Sequence, residues 1–221
     1  MKREEYHANQ KLPFAFYLAA SILFATLLIS YIALAILTRE ELTRNERILT
    51  CVSSFLGLGL SVYGLYNALK NKAVHSFFLA GMHLTLLSLS GFFQNLIPIL
   101  SDDSLSLGPW GIAALVIFII LTITGLVGAL LPRKFLLIRK ILLVLSMTLL
   151  ISIEGITFVS EIMEFVTRGF SSQEAALLGC LSAYTHLSPI IVLGIGIAFI
   201  FDVSLKNDNS NQLENKTIKK E

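Results

Sequence analysis

Six long apolar blocks set the limits on how this chain can fold. They cover residues 13–37, 48–69, 73–100, 110–131, 141–166 and 175–205, and each is at least 22 residues long. A run of about 18 or more apolar residues with few charges is long enough to cross the hydrocarbon core of a bilayer as a helix. Spanning β-strands would instead appear as roughly ten-residue segments of alternating hydrophobicity, and none is visible. Lipid offers no partner to backbone N–H and C=O groups, so each block must satisfy them internally as a helix. The expected fold class is therefore all-α: a polytopic membrane protein with six transmembrane helices in one bundle.

Composition agrees. Of 221 residues, 55% are hydrophobic and 14% are charged, against about a quarter charged in ordinary soluble domains. The first block follows Lys2, Arg3 and Lys11 and contains an Ala33-Leu34-Ala35 site. Its length exceeds the 7–15 apolar residues of a signal peptide, so it is read as a retained helix. The expected organisation is a cytoplasmic N-terminus over 1–12, a transmembrane domain over 13–205 and a disordered cytoplasmic tail over 206–221.

Lys and Arg in the connecting segments set the expected orientation. One side holds Lys2, Arg3, Lys11, Lys70, Lys72, Arg133, Lys134, Arg139, Lys140, Lys206, Lys216, Lys219 and Lys220, 13 of the 17 basic residues. The other holds Arg39, Arg44, Arg47 and Arg168. Both termini are expected in the cytoplasm and the protein in the cytoplasmic membrane. The net charge of +2 is a topology signal, with no nucleic-acid partner implied. Cys51 and Cys180 both fall toward the outer side, where they can either pair or remain separate small buried residues.

An internal similarity links "YGLYNALKNK" (63–72) and "TGLVGALLPRK" (124–134), which share Gly-Leu-x-x-Ala-Leu before a basic loop. Either a two-helix hairpin is duplicated in parallel orientation, or membrane composition has converged. The glycines also allow close helix approach.

Ionisable side chains within the apolar blocks are the candidate functional residues, because a charge in the bilayer is costly and usually faces a bundle interior or a wet cavity. At 3.6 residues per turn, Glu154, Thr157, Glu161, Glu164 and Arg168 fall within an arc of about 80° on the fifth helix. Ser76, His83, Ser90 and Gln94 share a face of the third. Gly179, Ser182 and His186 share one on the sixth, beside a kink expected at Pro189. These faces lie near the midplane or in the outer half, and one outward-open polar cavity lined by helices 3, 5 and 6 would unite them. Glu154 is expected to be the binding or coupling carboxylate, with His83, His186, Gln94, Ser182 and Glu161 around it and His83 or His186 as its partner. A structural role, locking helices by hydrogen bonds, is the competing reading for each. Glu161, Glu164 and Arg168 also fit a solvated outer helix end.

No CxxC, Cys/His zinc spacing, G-x-S-x-G elbow, nucleotide loop or haem motif occurs. No HxxxH, HxxE or ExxH pairs metal ligands on one helix. No metal ligands or catalytic residues are therefore assigned, no cofactor is specified, and an intramembrane enzyme ranks behind two other readings. The first is a transporter of a small solute or ion, or its membrane-embedded substrate-binding component. The second is a non-catalytic accessory subunit of a larger membrane complex, whose partners would be other membrane subunits or further copies of the chain.

Two stretches bear on the second reading. "FAFYLAASILFATLLISY" (14–31) is similar to the first helix of subunit III of haem–copper terminal oxidases. "EIMEF" (161–165) followed by "LSAYTHLSPIIVLG" (181–194) resembles that family's glutamate-bearing helix and the histidine-bearing one after it. The family's second histidine, three residues after the first, is here Pro189, and the helix count and spacing depart from the pattern. The resemblance implies an accessory respiratory subunit without its own metal.

Overall fold

The computed structural model describes residues 3–7, 9, 11–38, 44–70, 75–101, 109–169 and 173–207. Six helices account for nearly all of them: α1 (Lys11–Thr38), α2 (Arg44–Leu69), α3 (Ser76–Ser101), α4 (Pro109–Leu130), α5 (Leu136–Arg168) and α6 (Gln173–Asp202). All six are long and apolar enough to cross a membrane. Their outward faces carry large apolar side chains such as Ile29, Phe55, Leu130, Leu145, Ile156 and Val166. In water such a surface would drive aggregation; in a bilayer it is the face that meets lipid.

The helices form a ring in chain order. Consecutive helices pack against one another, α6 closes back on α1, and α3 also touches α5 and α6. α3 is the most enclosed span, with 67% of its apolar window buried against 28–39% for the others. Its apolar residues Phe77, Leu79, Ala80 and Leu84 join Phe16, Tyr17, Phe24, Leu143, Met147 and Phe199 in one core. Small residues let it sit there. A Cβ on Gly81 would come within 2.6 Å of the Gly125 carbonyl oxygen on α4, and one on Gly125 within 2.6 Å of Thr85 Oγ1.

Two strands were not foreseen. α6 ends at Asp202 rather than 205, and β2 (Val203–Asn207) pairs antiparallel with β1 (Arg3–His7) in the register His7↔Val203 to Arg3↔Asn207. The first residues of the expected tail, Lys206 and Asn207, thus belong to a two-stranded ribbon; 208–221 lie outside the described residues. The partners are about two hundred residues apart, so no turn signal in the sequence announces them. The Asn9 N–H donates to Asp202 Oδ2 at 2.9 Å, fastening the same two ends.

Arg139 also departs from expectation. It is buried in the first turns of α5, not solvated in a loop. Its Nε donates to Gly128 O (2.9 Å) and a terminal guanidinium nitrogen to Ala129 O (3.0 Å), and the guanidinium sits 4.4 Å from the centre of the Phe77 ring. The last carbonyls of a helix have no intrahelical donor, and Arg139 supplies donors for two of them on α4. Lys140 does the same for α6, donating to Phe201 O at 2.9 Å.

Candidate functional site

α5 and α6 place four of the six candidate residues together. His186 Nδ1 lies 2.7 Å from Glu154 Oε2, and its Nε2 lies 3.5 Å from Glu161 Oε1. Ser182 Oγ donates to the same Glu161 oxygen at 2.7 Å. The spacing in each helix explains the meeting. Glu154 and Glu161 are seven residues apart, two turns on one face of α5, and Ser182 and His186 are four apart on one face of α6. The imidazole lies between the two glutamates. It is 23% exposed at the side chain, with Glu154 at 18% and Glu161 at 23%.

The cluster runs along the length of α5. α5 has 33 residues, roughly 50 Å at 1.5 Å per residue, which exceeds a hydrocarbon core of about 30 Å. Glu154 lies roughly 27 Å from the α5 N-terminus and Glu161 roughly 37 Å. Glu154 is the nearer to the middle of α5, and Glu161 the nearer to its C-terminal end. His186 connects them with one ring nitrogen toward each. When Glu154 is ionised it can only accept, so Nδ1 carries the hydrogen. Nε2 then either holds a second proton, making an imidazolium between two carboxylates, or faces a protonated Glu161. A single proton transfer between Nε2 and Glu161 interconverts these states.

Glu161 Oε2 is enclosed and has no hydrogen-bond partner among the described residues. Nearby on α6, Pro189 lacks the N–H that would pair with the Thr185 carbonyl, so that oxygen loses its helical donor immediately before His186. The Thr185 hydroxyl turns back to Ser182 O at 2.7 Å.

His83 is elsewhere. The structure joins it to neither Glu154 nor His186; it lies against α1 and α2. The ring is 2% exposed and is surrounded by Phe16, Tyr17 and Phe24 at centroid distances of 5.5, 6.3 and 5.6 Å. Nδ1 meets Leu79 O at 2.6 Å and Nε2 meets Ser61 Oγ at 2.7 Å. Leu79 O can only accept, so Nδ1 donates, and a neutral ring then accepts the Ser61 proton at Nε2. Ser61 Oγ also lies 2.7 Å from Gly57 O; its one proton serves the imidazole or that carbonyl. His83 thus lies apart from the α5–α6 cluster with which the sequence reading grouped it. Gln94 lies in α3, but its side chain is outside the described residues.

The donor atoms do not converge on a common point. Each carboxylate is aimed at a different nitrogen of one ring, and among the described residues no three His, Cys, Asp or Glu side chains are placed to hold a metal ion. Cys51 and Cys180 are free and not joined to each other. No family model matches the chain, nor does any curated protein or solved structure. The likeness to oxidase subunit III therefore rests on its two stretches alone.

Proposed function

We propose that this is a small transport protein of the cytoplasmic membrane, or the membrane-embedded substrate-binding part of one, and that Glu154, His186 and Glu161 handle a proton or a cationic solute. Both termini would face the cytoplasm and the Glu161 end of the cluster would open outward through a polar cavity. The observation that carries the reading is the imidazole of His186 with a carboxylate at each nitrogen, two turns apart on α5. Ionisable groups are expensive in a membrane and tend to mark substrate or proton pathways. A histidine with two acceptors in line is a means of passing a proton between them. Glu154 would be the coupling carboxylate and Ser182 would orient Glu161.

The test is reconstitution into liposomes with an internal pH dye. Proton or cation flux is expected with the native protein, and Glu154→Gln and His186→Ala are each expected to reduce it at least tenfold. Unchanged flux in both variants would sink the reading.

An accessory role in a larger membrane complex is the second reading. It is favoured by one observation: Glu161 and His186, from the two segments that resemble subunit III, meet across α5 and α6 at 3.5 Å. Purification in mild detergent separates the two. Stoichiometric haem-containing partners would support the accessory role, and a chain that purifies alone and carries flux would remove it.

A further inference from the structure

We infer that the solute taken by this site is a small primary amine in its ammonium form, and that Glu161 Oε2 is its docking atom. This rests on the transport reading above and adds the class of the solute.

Charge is the first consideration. With both carboxylates ionised, the site keeps an excess negative charge even when His186 is doubly protonated. All three side chains are at least three-quarters enclosed, where an unbalanced charge is costly. One further positive charge completes the site.

Hydrogen bonding says where that charge goes and what it looks like. Glu154 Oε2 is taken by His186 Nδ1. Glu161 Oε1 accepts from Ser182 and faces His186 Nε2. Glu161 Oε2 is the enclosed acceptor without a donor. A bare proton there would not complete the site, because it would turn an unpaired acceptor into an unpaired O–H donor. A hard metal cation suits it poorly, since such ions gather six or more oxygens around one point and these carboxylates point at the ring. An ammonium group brings charge and directional N–H donors together. One N–H satisfies Glu161 Oε2. The Glu161 side chain keeps 23% exposure, so a rotation of its carboxyl group presents Oε2 to a solute.

The probes are ethylammonium chloride, tetramethylammonium chloride and sodium chloride, added to the purified full-length protein in detergent. The readout is the 15N resonances of the His186 ring, assigned by comparison with His186→Ala. Ethylammonium is expected to shift them saturably. Tetramethylammonium carries the charge without an N–H and is expected to act at least tenfold more weakly, as is sodium. In Glu161→Gln the ethylammonium response is expected to fall at least tenfold, while the His186 signal still responds to Glu154→Gln. Equal responses to ethylammonium and tetramethylammonium, or an unchanged response in Glu161→Gln, would overturn the amine assignment. If Glu154→Gln alters the His186 signal but ethylammonium does not, the amine inference falls and the Glu154–His186 pair stands. If neither does, both fall.

Discussion

The two histidines on the facing surfaces of the helices show how much a single residue's neighbours decide. Both lie in apolar helices and both use both ring nitrogens. His83 meets a backbone carbonyl and a hydroxyl inside an aromatic enclosure, so a neutral ring has a partner at each nitrogen and serves to tie α2 to α3. His186 meets two carboxylates, so its proton count is coupled to theirs. Periodicity placed both on polar faces but could not say which face met which helix. The two should respond differently to substitution. Ser61→Ala leaves His83 Nε2 without a partner in a dry site, and is expected to cost about 1–3 kcal/mol. The loss would be read as a lower thermal midpoint in detergent, with flux per folded molecule unchanged. A loss of flux without a loss of stability would place His83 in the transport path instead.

At the scale of the helix, ends and crossings carry the information. α4 terminates where Arg139 of α5 offers two donors to its last carbonyls, and α6 terminates where Lys140 does the same. Two adjacent basic residues that count as loop charges in a hydropathy reading are thus helix caps for two different neighbours. Arg139→Ala is expected to destabilise the protein by about 1–3 kcal/mol through the unpaired carbonyls of Gly128 and Ala129. Arg139→Lys should restore only part of this, because an ammonium lacks the planar fork that reaches both. Thermal melts of the two variants check the order. The repeated Gly-Leu-x-x-Ala-Leu segments acquire a common physical meaning here. Gly64 lies against the Tyr17 ring of α1, and Gly125 lies against Gly81 of α3. Each glycine marks the close crossing of its own hairpin, which convergence or duplication would equally select.

For the whole molecule, an even number of spans returns the chain to the face it left. The β1–β2 ribbon, the Asn9–Asp202 bond and the Lys140 cap gather both ends at that face. The excess of Lys and Arg on the same side makes the cytoplasm its expected location. Single cysteines introduced at Asn9 and at Lys206, in a background where Cys51 and Cys180 are replaced, are expected to resist a membrane-impermeant thiol reagent in intact cells and to react once the cells are opened. Labelling of either in intact cells would reverse the orientation.

Composition and block length alone determined that the chain forms six helices long and apolar enough to cross a membrane, because the bilayer imposes a length and a backbone rule that leave few alternatives. The 3.6-residue period also determined that Glu154 and Glu161 share one face and Ser182 and His186 another. Only the tertiary structure decided that those two faces meet, that α3 sits within the ring and turns His83 away from them, and that the two ends pair as strands. These are contacts between segments tens to about two hundred residues apart. They depend on which small residues permit close approach, and no local pattern encodes that choice.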